Sequence, residues 1–125
     1  MMKSNLRQCS RYSAMAHALV SELIPAEAVL RDLSVTGCRL EFSAAVACGL
    51  GTRYRVTIIP EARASIETFD LDAEVRWSRS EYDAFEVGFS IVISPKGKAF
   101  LRYVDYLAYR ASEGNPIQIS ANVIT

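Results

Sequence analysis

Two groups of residues in this 125-residue chain have types and spacings that suit chemistry: Arg7 with Arg11, and Asp32 with Ser34 and Gly37. The first pair is an R-x-x-x-R. A guanidinium offers a planar fork of N–H donors that matches a phosphate or the edge of a guanine. With eleven arginines among fourteen basic residues, about one such spacing is expected by chance, so the pair alone says little. The second group reads Asp32-Leu33-Ser34-Val35-Thr36-Gly37, a D-x-S-x-x-G. Its chance expectation is on the order of 0.04, which makes it moderately specific. The competing reading is a turn, in which Asp and Ser satisfy backbone N–H groups and Gly supplies a positive φ.

Enzymatic readings fare badly. One histidine limits acid–base and triad schemes, and His17 sits in a plausible strand where a structural role is favoured. No G-x-S-x-G, Walker A or H-E-x-x-H motif is present. Cys9, Cys38 and Cys48 form no C-x-x-C, so with the single His17 they lack the paired ligand spacing of a structural zinc site. They read as reduced thiols in a cytoplasmic protein without metal or cofactor. Fourteen basic and fourteen acidic residues give zero net charge, which argues against coating long nucleic acid but leaves room for a small anionic ligand. Met1 to Arg11 lacks the apolar core of a signal peptide, and no apolar run reaches membrane length.

The elements that must position these residues are short strands followed by one helix. Residues 1–11 carry Lys3, Arg7 and Arg11 among polar residues and predict a mobile arm. Ser13 to Val20 is Ala-rich with no clean period; a strand is expected there, with Met15, His17 and Leu19 on one face. Ala28 to Leu33 is a second strand. Cys38, Leu40 and Phe42 alternate with Arg39 and Glu41, the pattern of a half-buried strand. Tyr54, Val56 and Ile58 repeat it after the turn at Gly49 and Gly51. Phe69, Leu71, Ala73, Val75 and Trp77 form the clearest alternation, and Phe85, Val87 and Phe89, extended by Ile91 and Ile93, come after the turn near Tyr82–Asp83. Ser94 as N-cap and Pro95 at the first helical position then predict an amphipathic helix of about sixteen residues, with Gly114 near its C-cap. The expected fold is therefore mainly β: a six-stranded antiparallel barrel with a C-terminal helix across one end. The expected organisation is an arm (1–11), a barrel with its helix (12–112) and a tail (113–125).

In that order and spacing the chain resembles the PilZ domain family, small barrels that bind cyclic di-GMP. The family signature is R-x-x-x-R in an N-terminal loop, then [D/N]-x-S-x-x-G some twenty to thirty residues later; here these are Arg7, Arg11, Asp32, Ser34 and Gly37. Glu74-Val75-Arg76-Trp77 and Val87-Gly88-Phe89 look like the late-strand signatures, and the resemblance runs from about Leu6 to Ala111. It implies a cyclic di-GMP site made of those five residues. Arg7 and Arg11 would clamp guanine edges or phosphates. Asp32 would accept from guanine N–H groups or orient an arginine, Ser34 would donate to a phosphate or to O6, and Gly37 would leave room for the ligand. Leu6 stands where many members carry another arginine, a position tied in the family to one versus two bound nucleotides. Arg39 is a further candidate phosphate contact, with a solvated strand charge the favoured reading. Trp77 could stack on a guanine, although its alternation with Val75 favours a core role. The resemblance implies a binding switch without catalysis: the nucleotide orders the arm, and the new surface is read by an effector protein. The rival readings are an adaptor of the same fold that binds proteins without nucleotide, and a small nucleic-acid-binding barrel.

Overall fold

The computed structural model describes residues 12–113. Among these residues seven strands and one α-helix succeed one another in chain order: β1 (Tyr12–Ser13), β2 (His17–Val20), β3 (Ile24–Leu33), β4 (Gly37–Phe42), β5 (Arg53–Ile59), β6 (Phe69–Glu81), β7 (Ala84–Ile93) and α1 (Ala99–Glu113). Their pairings are antiparallel. Strand β3 pairs with β2 on one side and β4 on the other, so the order β3-β2-β5-β6-β7-β4 returns to β3 and closes a six-strand barrel. The expected fold class holds.

Strands β1 and β2 are one interrupted strand along β3. Tyr12 pairs with Leu33 and Ser13 with Asp32, then His17 with Val29. Between them the Ala14 amide donates to the Arg31 carbonyl (3.2 Å) and the Leu30 amide to the Ala16 carbonyl (3.0 Å). The break lies opposite a register shift of β3 against β4 between Leu30 and Asp32. This irregularity is why the Ala-rich segment shows no clean period. Its inward face is Ala16, Ala18 and Val20, all fully buried. His17 is exposed and stands 3.9 Å from Glu27, so it is a surface strand residue rather than a core one.

The barrel interior is filled by period-2 side chains, as the patterning predicts: Leu30, Cys38, Leu40, Phe42, Val56, Ile58, Leu71, Val75, Val87 and Phe89 are at most 2% exposed. Ala16, Ala18, Ala28 and Ala73 are buried among them, and small inward residues let a narrow barrel close around its larger ones. Helix α1 covers one end with Phe100, Tyr103 and Leu107. Phe69 meets Phe100 and Tyr103 there in tilted ring contacts at 5.8 and 6.2 Å. The helix starts at Ala99, not at Ser94-Pro95. Gly97 adopts φ +88°, a left-handed conformation that a right-handed helix cannot include, so the chain turns once more first. The Gly114 cap, the arm and most of the tail lie outside the described residues. No helix among the described residues is long and apolar enough to cross a membrane.

A partly buried polar contact ties α1 to the β5–β6 connection. The Tyr103 hydroxyl donates to Glu61 Oε1 (2.5 Å), and Arg110 Nη1 donates to Glu61 Oε2 (3.4 Å). Burial, then the bond to Glu61 and its charge, hold the Tyr103 phenol far above its ordinary pKa. The folded chain thus keeps a proton that the unfolded chain loses above pH 10.0, the ordinary tyrosine value. This contribution is whole below that pH and is lost as pH rises beyond it. The urea midpoint is expected to fall between about pH 9 and about pH 11, and to fall less in Tyr103→Phe. A variant profile parallel to that of the wild type would contradict this assignment.

Candidate functional site

The D-x-S-x-x-G segment is the hairpin joining β3 to β4, and Ser34 builds its turn. The Ser34 amide donates to the Gly37 carbonyl (2.9 Å), while the amides of Thr36 and Gly37 donate to Ser34 Oγ (3.2 Å each). The hydroxyl also lies 3.2 Å from Thr36 Oγ1, and Ser34 is 1% exposed. Gly37 is buried, and among the described glycines positive φ occurs only at Gly51 and Gly97. The turn therefore forms without the left-handed glycine that the turn reading expects. Ser34 supplies the geometry, and Gly37 supplies the absence of a side chain.

Asp32 stands at the start of a lateral row on the outer barrel face. It pairs in register with Arg39 on β4, Arg39 with Gly88 on β7, and Gly88 with Trp77 on β6. Arg39 Nε donates to Asp32 Oδ2 (2.9 Å), and Arg39 Nη1 donates to Glu86 (3.3 and 3.4 Å). Burial alone would lower the Arg39 pKa, but the charges and bonds of Asp32 and Glu86 outweigh it and raise it. Arg39 is thus a held guanidinium, not the solvated strand charge its sequence position suggests. In the adjacent row, Glu86 also receives Arg79 Nε (3.2 Å) and Nη2 (2.9 Å).

Trp77 departs from the sequence reading, which favours the core. A register shift between Val75 and Trp77 inserts an extra residue into β6, and one inserted residue moves the side chains beyond it to the other face. Val75 is 1% exposed and Trp77 37%. The indole lies over Gly88, where a Cβ would collide with its Cε2 and Nε1 atoms. The Arg79 guanidinium sits 5.6 Å from the ring centroid. The outer surface thus brings together Asp32, Arg39 and Trp77 of the predicted residues, with Glu86, Gly88 and Arg79 beside them. Sequence reasoning passes over Glu86 and Arg79 because they meet Arg39 and Trp77 only through strand register. Their outward parity with Gly88 and Trp77 is the available signal.

Arg7, Arg11 and Leu6 fall outside the described residues. What is described is the junction: Tyr12, one peptide bond after Arg11, pairs with Leu33, the neighbour of both Asp32 and Ser34. A separate open groove of about 610 Å³ lies on β5–β6, lined by Glu22, Arg53, Tyr54, Arg55 and Asp72 among others, away from the motif.

The described residues thus form a small closed barrel with a polar row beside a Ser-bonded hairpin. The PilZ domain profile matches residues 5–106, and the chain belongs to the PilZ domain family. No curated protein matches it. Solved structures of similar fold include the inhibitor of motility MotI/DgrA of Bacillus subtilis (TM-score 0.66, 15% identity, 84% of this chain and 50% of that one). The PilZ domain of Escherichia coli YcgR with c-di-GMP matches at TM-score 0.65 and 17% identity, over 88% of this chain and 97% of that one. A longer YcgR chain in complex with c-di-GMP matches at 0.62 and 16%, over 90% and 50%. The chain thus spans about half the length of MotI and of the longer YcgR chain. At these identities the likeness is one of fold.

Trp77 is the single tryptophan, so its emission reports this surface directly. In Gly88→Ala the added methyl displaces the indole. Emission is expected to shift to the red, with about 0.5–1 kcal/mol of stability lost with the Arg79 contact. An unchanged spectrum would contradict the close packing of Trp77 on Gly88.

Proposed function

We propose that this protein is a receptor for cyclic di-GMP that converts nucleotide binding into a changed surface for an effector protein. The observation that carries this reading is the convergence at one turn: Asp32 and the Ser34 hairpin lie beside Leu33, whose partner Tyr12 directly succeeds Arg11. The YcgR PilZ domain of similar fold holds cyclic di-GMP in its structure, which supports the same ligand here.

In this reading Arg7 and Arg11 close over the nucleotide from the segment leading into β1. Their forks grip phosphate oxygens or the O6/N7 edge of guanine. Asp32 both accepts from the ligand side and keeps Arg39 oriented. Ser34 acts through the turn: it holds the amides of Thr36 and Gly37 in place, and Gly37 lets the ligand approach the backbone. Trp77, half-exposed on the same row, offers a stacking face worth about 1–3 kcal/mol per base. Ordering residues 1–11 costs entropy, which the charge-assisted bonds offset. No bond is broken, and no metal or cofactor takes part. Buried Cys38 and free Cys48 suit a reducing compartment, and we place the protein in the cytoplasm.

A second reading, an adaptor that binds proteins without nucleotide, is favoured by one observation. Arg39 and Arg79 already have carboxylate partners in Asp32 and Glu86. Calorimetric titration of Arg7→Ala and Arg11→Ala separates the two. Each loses a charge-assisted contact of about 1.5–3 kcal/mol, so affinity is expected to fall by about tenfold or more. Binding that persists within about twofold in both variants would overturn the clamp.

A further inference from the structure

We propose that Glu86 is a positioning residue for the nucleotide site, acting through Arg39; this rests on the receptor reading above. Glu86 belongs to neither signature motif. Its carboxylate is the junction of the outer-face network, receiving Arg39 Nη1 from β4 and both Nε and Nη2 of Arg79 from its own hairpin partner β6. Together with Asp32 it grips Arg39 at two corners of the fork: Nε on Asp32 and Nη1 on Glu86.

The layering gives the network a direction. The side chains of Glu86 and Asp32 are 11% and 15% exposed, whereas those of Arg39 and Arg79 are 30% and 55% exposed. Carboxylates lie beneath and guanidiniums above, so this cluster turns its guanidiniums toward solvent. An anionic ligand meets donors that are already oriented, and little side-chain entropy is lost on binding. A long arginine without such anchors would have to be ordered by the ligand itself.

This role and plain electrostatics predict opposite signs. Glu86 is an acidic group near a site for a dianion, so its charge alone weakens binding, and its removal would tighten it. If it positions Arg39, its removal loosens the fork and weakens binding. Glu86→Gln keeps the shape and discards the charge. Titration of this variant with cyclic di-GMP is expected to show about tenfold weaker binding than the wild type. In an Arg39→Lys background, where no two-cornered fork exists to be held, the same substitution is expected to change affinity by less than about twofold. A thermal midpoint measured on each variant confirms that folded protein is being titrated. Unchanged or tighter binding in Glu86→Gln would overturn the proposal, as would an equal loss in both backgrounds, which marks a merely structural effect. A wild-type chain that binds no cyclic di-GMP would instead overturn the receptor reading itself.

Discussion

Closure of the sheet is the constraint on which the rest depends. Because β3 pairs with both β2 and β4, closure ties the register of each strand to that of its two neighbours, and the Ser34 hairpin fixes β3 against β4. Asp32 then faces Arg39, Arg39 faces Gly88 through the β4–β7 register, and Gly88 faces Trp77 through the residue inserted into β6. The buried serine hydroxyl shapes a tight turn that sets Asp32 against Arg39, the first pair of a row crossing the strands from β3 to β6.

A network of charges spans that row and the adjacent one. Among the described residues, the partly buried carboxylates of Asp32 and Glu86 hold Arg39 and Arg79, of which Arg79 extends further into solvent. Pairs of this kind contribute little net stability, because desolvation offsets most of the attraction. Their value lies in fixing geometry. The far end of the barrel row, where Trp77 rests on Gly88, is held by shape instead: the absence of a Cβ lets an indole lie flat against the sheet. At the helix end a different contact, Tyr103 on Glu61, fastens α1 to the β5–β6 connection. The polar row and the helix end are thus built on separate interactions.

Most of the fold is legible because small barrels write their cores in period 2. Cys38, Leu40, Phe42, Val56, Ile58, Leu71 and Val75 are buried as their alternation requires. The failures have local causes. Trp77 continues the alternation of β6 in sequence, but the register shift after Val75 turns it outward, and such an insertion depends on the partner strand. The helix start is misread from sequence because Ser94-Pro95 is a strong local signal, whereas Gly97 decides the matter only through its left-handed backbone. Of the candidate site, Asp32 and Ser34 are legible as a motif. The partnership of Arg39 with Glu86, 47 positions apart, is not, because it exists only once the barrel is closed.

We propose that this barrel binds cyclic di-GMP at the Ser34 hairpin. Isothermal titration of the purified protein with cyclic di-GMP, with GTP and cyclic di-AMP as controls, tests it most directly. Saturable heat is expected with cyclic di-GMP alone, accompanied by a rise in melting temperature and a change in Trp77 emission. Absence of heat at high nucleotide concentration, with an unchanged melting temperature, would contradict it and leave the nucleotide-free adaptor.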